Sequence, residues 1–142
     1  MNDIINFFFS RKYLMVLAYF ILFTLIILFI WYNKKDAIER EENYTLIREY
    51  INLPIEGIVS KKEASIGMFD RGSCYVDLSS GIKLNLFGGP WNFLYDEPSM
   101  ESLLEVGDSI SKKANTDTIY VYKSDRKFYF VLGKLINEDK RN

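Results

Sequence analysis

Histidine is absent from the 142-residue chain, and cysteine occurs once, at Cys74. The first absence removes the commonest general base and the commonest metal ligand together. The second excludes an intrachain disulfide and any multi-cysteine zinc site. An excess of one charge sign is also missing, since 18 Lys/Arg stand against 19 Asp/Glu and no basic stripe interrupts the balance. Phosphate recognition needs clustered positive charge, so nucleic acid is not an expected partner. Lysine occurs instead as isolated pairs, Lys34-Lys35, Lys61-Lys62 and Lys112-Lys113, which read as solvated faces or membrane flanks. Gly88-Gly89-Pro90 is followed by neither GK[ST] nor GxGxxG, so no phosphate loop and no cofactor are implied. These absences point away from enzymes, although Ser, Asp and Lys side chains keep a hydrolase using Asp residues or Cys74 among the alternatives.

What is present begins with an unbroken apolar run, LMVLAYFILFTLIILFIWY, from Leu14 to Tyr32. At ~1.5 Å per residue it makes a helix of roughly 28 Å, the thickness of a bilayer's hydrocarbon core. We expect an N-terminal tail over 1–12 and a transmembrane helix over 13–32 whose partner is the lipid bilayer. The run is longer than a signal-peptide core and no small-x-small cleavage site follows it, which favours a retained anchor. It contains no charged side chain and offers no ion path of its own. Arg11-Lys12 and Lys34-Lys35 balance across it. The wider count, with Arg40 and Arg48 added, draws the C-terminal side inward, whereas so short a tail stays inside and delivers the rest outward. The expected arrangement is N-in, C-out.

Residues 33–53 read as an amphipathic stalk helix, with Ile38, Tyr44, Ile47 and Ile51 near one face and Glu39, Arg40, Glu42 and Glu49 on the others. Pro54 ends it. From Ile55 the pattern becomes that of strands, and 54–133 reads as a mainly-β small barrel, OB-like or SH3-like, with one short helix. IEGIVSKK is its first strand, with Gly57 marking a bulge or a close backbone approach. SIGMF continues it after a kink, and Asp70-Arg71-Gly72 is a turn. SCYVDLS and IKLNLF form a hairpin. Only a three-residue loop ending at Gly81 segregates its faces, pairing Val76 with Leu84, Asp77 with Lys83 and Tyr75 with Asn85. Cys74, Val76, Leu78, Ile82, Leu84 and Leu86 then enter the core. A short helix is expected around Ser99 to Glu105, capped by Ser99, with Met100, Leu103 and Leu104 inward. TIYVYK and KFYFVL make a last hairpin, and 134–142 reads as a polar tail.

Neither face of that last hairpin is polar. Ile119 and Val121 point one way and Tyr120 and Tyr122 the other, and Phe128 and Phe130 oppose Tyr129 and Val131 in the same manner. One side must enter the interior and the other be covered by the stalk helix, the short helix or another molecule, with Tyr120, Tyr122 and Tyr129 as candidate contacts. In the loop after Gly88, Trp91, Phe93 and Tyr95 alternate with Asn92 and Leu94, a pattern suited to stacking on a glycan or peptide or to plugging the barrel end. Cys74, on an inward strand position with no histidine nearby, is expected to be core. Asp70, Asp77, Asp96 and Asp108 are expected to serve turns or an ion pair, and no metal site is implied.

Ile55-Glu56-Gly57-Ile58-Val59, Leu78-Ser79-Ser80-Gly81 and Gly107-Asp108-Ser109-Ile110-Ser111-Lys112 are similar to segments of an uncharacterised bacterial group of short, single-pass membrane-anchored β-domain proteins. The likeness spans roughly residues 55–131. It implies the β fold and a bacterial envelope setting, and it brings no catalytic or binding residues with it. The function expected from the whole chain is a non-enzymatic, membrane-anchored β-domain that binds or scaffolds another envelope protein. A ligand-binding module for glycan or peptide is the alternative.

Overall fold

The structure, a computed structural model, describes residues 11–65, 69 and 72–141, with the side chains of Arg11 and Lys12 excluded. The expected tail before residue 11, most of SIGMF and the Asp70-Arg71 turn lie outside the described residues. Helix α1 runs from Arg11 to Asn43 without a glycine or proline to interrupt it. Its segment Tyr13–Asn43 is long and apolar enough to cross a membrane. Every residue from Tyr13 to Tyr32 is exposed, so no described part of the chain covers this surface. The hydroxyl of Thr24, inside the run, is satisfied locally, donating from Oγ1 to the Phe20 carbonyl at 2.8 Å. That is the arrangement an apolar medium requires.

The stalk helix does not extend to Leu53. Its last turn closes with Tyr44 N donating to the Arg40 carbonyl at 3.0 Å, and the chain then becomes strand β1, Thr45–Leu46. A 3₁₀ turn, Ile47–Ile51, follows and buries Ile47. Burying Ile47 and seating Tyr44 on the sheet outweighs continuing a charge-rich helix whose apolar stripe has no partner of its own.

The remaining strands are β2 (Ile55–Ala64), β3 (Cys74–Leu78), β4 (Lys83–Asn85), β5 (Trp91–Asn92), β6 (Ser109–Lys112), β7 (Thr118–Lys123), β8 (Arg126–Val131) and β9 (Leu135–Ile136), with helix α2 (Met100–Leu103) between β5 and β6. Seven of them form one curled sheet in the order β1-β4-β3-β2-β6-β7-β8, and β5 pairs with β9 beside it. This is a half-barrel, open between β1 and β8. Its corner is β2, whose first half pairs with β6 and whose second half pairs with β3 across an irregularity between Val59 and Lys61. Gly57 permits the close approach expected of it, since a Cβ there would lie 2.9 Å from Ser80 Oγ and 3.1 Å from Leu78 Cβ.

The β3–β4 hairpin has the expected register, Tyr75 with Asn85, Val76 with Leu84 and Asp77 with Lys83. Gly81 takes φ +85°, the left-handed conformation that the three-residue loop demands. Cys74, Val76, Leu78, Leu84 and Leu86 are buried, with Ile82 packed against them. Ser99 caps α2, its Oγ accepting from Ser102 N at 3.1 Å, and Met100, Leu103 and Leu104 turn inward. Ile119, Val121, Phe128 and Phe130 complete the core from β7 and β8.

Two lysines are not the solvated groups expected of them. Lys112 is buried, and its Nζ donates to the carbonyls of Ile51 (2.9 Å), Leu53 (2.7 Å) and Lys113 (3.2 Å). Lys62 Nζ donates to the carbonyls of Glu101 (2.7 Å) and Leu104 (2.8 Å) at the end of α2. In both cases an ammonium group satisfies backbone acceptors that a short helix leaves open. Desolvation lowers the pKa of Lys112 from the ordinary lysine value. The expected polar tail is also structured. Leu135 and Ile136 pair in parallel with Trp91 and Asn92, and Glu138–Lys140 adds a 3₁₀ turn. A two-residue strand carries too little pattern to be read in isolation; its backbone partner lies more than forty positions upstream.

Candidate functional site

The six aromatic residues singled out above fall into two places that meet at the edge strand β8, where the Tyr95 and Tyr129 ring centroids lie 6.4 Å apart. Trp91, Phe93 and Tyr95 line an open cleft of about 610 Å³ together with Leu94, Asp96, Pro98, Lys140 and Arg141. Trp91 and Phe93 stack at 5.8 Å with 26° between their planes, and the Arg141 guanidinium stands 5.7 Å from the Phe93 centroid. Trp91 keeps 39% of its surface exposed and does not plug the sheet. Tyr95 is different. It packs edge-on against Phe128 (4.8 Å) and Phe130 (5.8 Å), and its Oη accepts a hydrogen bond from Tyr129 N at 3.0 Å. It belongs to the support of the loop more than to its displayed surface.

Asn92 organises this loop from within. It is fully buried, its Nδ2 donates to the Tyr129 carbonyl at 2.9 Å, and its Oδ1 accepts from Leu94 N (3.1 Å) and Asn137 Nδ2 (2.8 Å). Lys140, Arg141 and Asn92 were not legible as site residues. The two cations sit in a stretch that reads as a tail, and a single asparagine between two aromatics gives no sign that it is buried. Because both sides of β5 are occupied, by β9 and by the bridge from Trp91 to Ser99, the cleft presents side chains and no free strand edge.

The second place is the outer face of β7 and β8, where Tyr120 pairs with Tyr129 and Tyr122 with Lys127. The expectation that one of the chain's helices covers this face is not met. Tyr122 is 40% and Tyr129 37% exposed, because α1 lies against the other end of the sheet and α2 packs inward. Lys127 Nζ bridges the tyrosines, 3.9 Å from the Tyr120 centroid and 5.4 Å from that of Tyr122. At an exposed site such a cation–π contact contributes about 0.5–1 kcal/mol. Ser109 and Ser111 of β6 pair with Tyr122 and Tyr120, extending the face with small polar side chains.

The groups with nucleophilic or acid-base potential have structural surroundings. Cys74 is fully buried, and burial, helped by the Glu101 charge, pushes its thiol up to about 11. Asp108 Oδ2 accepts from Glu105 N at 2.8 Å, the local turn role expected of it. Tyr44 lies beside Asp77, whose Oδ1 is buried without a hydrogen-bond partner among the described residues, and the Tyr44 pKa is raised to about 12 by burial first and by this carboxylate second. No cluster of three or more Cys, Asp or Glu residues able to hold a metal occurs among the described residues. Comparison of the chain with protein-family models, curated proteins and solved structures finds no match.

Proposed function

We propose that this protein is a single-pass membrane protein whose half-barrel domain is a non-enzymatic binding or scaffolding module for another protein at the same membrane. The observation that carries this reading is the aromatic face of Tyr120, Tyr122 and Tyr129, on which Tyr122 and Tyr129 stay exposed, which Lys127 approaches and which neither described helix covers. Aromatic residues held rigidly at a surface supply contact area at low entropic cost, which suits a protein interface. The setting that accompanies it is a bacterial inner membrane, with α1 as anchor and the domain outside the cytoplasm. A photo-crosslinking residue at Tyr122 in intact cells should give a discrete adduct that the same residue at exposed Ser80 does not. Equal or absent adducts at the two positions would sink the reading. Sidedness is tested with Asp139→Cys and an impermeant maleimide, against a low background because Cys74 is buried.

A second reading is favoured by the exposed Trp91–Phe93 stack with Arg141 beside it. Here the module takes a glycan by ring stacking, with Lys140, Arg141 and Asp96 as hydrogen-bonding rim. Trp91→Ala should then abolish glycan binding with little change in thermal stability.

A further inference from the structure

The registers of four strands lay out the outer face of the sheet as two rows. Glu56 of β2 pairs with Ser111 of β6, Ser111 with Tyr120 of β7, and Tyr120 with Tyr129 of β8. Two positions along each strand, Ile58, Ser109, Tyr122 and Lys127 form the second row. The two serines and Tyr120 are half-buried, and the other five side chains are exposed. The only charged side chains in these rows are Glu56 and Lys127, of opposite sign and at opposite corners. Neither forms an ion pair among the described residues, and Lys127 rests on the Tyr120 and Tyr122 rings. With ~4.8 Å between strands and ~6.8 Å between alternate residues, the two corners lie about 16 Å apart.

A partner adding a strand to β8 would meet a closed edge. The outward backbone groups of Tyr129 are both taken, its N–H by Tyr95 Oη and its carbonyl by Asn92 Nδ2, and the Val131 carbonyl accepts from Lys134 N. Contact is therefore made through the face, whose tyrosines and serines supply adaptable contact area at low entropic cost. An isologous contact requires a surface that complements itself. On this two-row grid one operation achieves that. A two-fold axis in the plane of contact, crossing the Glu56–Lys127 diagonal at its midpoint and at a right angle, lays each Glu56 over the Lys127 of the second copy. The same axis passes near Ser109 and Tyr120, and it sets Tyr122 between the small Ser109 and Ser111 of the other molecule. Eight residues a side fall well short of the roughly 20–30 of a standard interface, so the pair needs the confinement that two anchors in one membrane provide.

We infer that a second copy of this chain occupies this face, two anchored molecules pairing through their tyrosine rows with reciprocal Glu56–Lys127 contacts at the corners. This rests on the reading of the face as a protein interface and names the partner. The test uses the full chain in phosphatidylcholine vesicles and a short, membrane-permeant bis-maleimide, which reaches Ser109→Cys near the axis while Cys74 stays buried. A product of twice the chain mass should form, about five-fold or more above that from Ser80→Cys on the β3–β4 turn. Glu56→Lys or Lys127→Glu sets like charges over each other and should lower the product to the Ser80→Cys level. The two reversals combined should restore it, a recovery that a folding defect does not give. A Ser109→Cys yield no higher than that of Ser80→Cys, or a combined reversal no better than the single ones, overturns the second copy. If the Tyr122 photo-crosslink then reports an adduct of another mass, the face remains a protein interface. With no discrete adduct there, both readings fall.

Discussion

Asn137 Nδ2 donates to Asn92 Oδ1 at 2.8 Å, joining two residues 45 positions apart. Through this bond the C-terminal segment is held against the aromatic loop, and Asn92 passes the connection on to β8 by its bond to the Tyr129 carbonyl. Asn92→Ala should cost about 2–4 kcal/mol, because several buried partners lose their bonds at once. Asn137→Ala should cost only about 1 kcal/mol, since it removes one donor from a half-buried place. Thermal unfolding of the full chain in detergent, followed by near-ultraviolet circular dichroism, measures both. Equal small losses would show that Asn92 is not the centre of the loop.

Tyr44 couples the end of α1 to the sheet. Its pKa is raised to about 12 from an ordinary 10.0, by burial and then by the Asp77 carboxylate beside it. Between those values the native state holds a proton that the unfolded chain has released, so stability falls as pH rises through this window and is fully present below it. Tyr44→Phe should remove this tyrosine's share of the alkaline loss while changing stability at neutral pH by about 1 kcal/mol or less, because the ring keeps its place against Tyr75 and only one hydroxyl is lost. Denaturant midpoints at pH 8, 10 and 11.5 compare the two proteins.

Gly57→Ala places a methyl group against Ser80 Oγ and Leu78 Cβ at 2.9 and 3.1 Å. The serine side chain can rotate away, but the Leu78 Cβ is fixed to its strand. A loss of about 1–3 kcal/mol is expected. The Ser79–Gly81 turn should also exchange its amide hydrogens faster, since Ser79 N donates to the Ile58 carbonyl and Ile58 N donates to Ser79 Oγ across the same contact.

The two aromatic roles in the loop separate by mutation. Tyr95→Ala should destabilise by about 2–3 kcal/mol, through loss of its packing on Phe128 and Phe130, whereas Trp91→Ala should cost about 1 kcal/mol or less. Tyr95→Phe should fall between them. The same unfolding assay ranks all three, and a reversed order would place Trp91 in the core.

The sequence anticipated those features that rest on local pattern. Alternation around Ser79-Ser80-Gly81 allowed one register that separates apolar from polar faces, and that register is present. Ser99 was legible as a cap because its hydroxyl and the N–H it satisfies lie within one helical turn. Of the candidate site, Trp91, Phe93 and the three tyrosines on the outer face were legible, because aromatic residues on a strand with no polar side stand out. The destination of residues 44–53 was not. Tyr44 and Ile47 keep helical spacing, and only the presence of Tyr75 and the β4 edge draws them out of the helix. Lys112 reads as solvent-facing for a similar reason, since the carbonyls of Ile51 and Leu53 that bury it are about sixty residues away.

By itself the sequence determined an apolar helix able to cross a membrane, a β-rich domain behind it and the faces of its hairpins. These follow from run length and period, which act between neighbours in the chain. Only the tertiary structure decided that the helix ends at Asn43, that the last residues form β9, and that the tyrosine face stays open while Asn92 and Lys112 are buried. The open face follows from where the two helices lie; each of the others depends on a partner supplied from a distant position, which exists only once the sheet has curled.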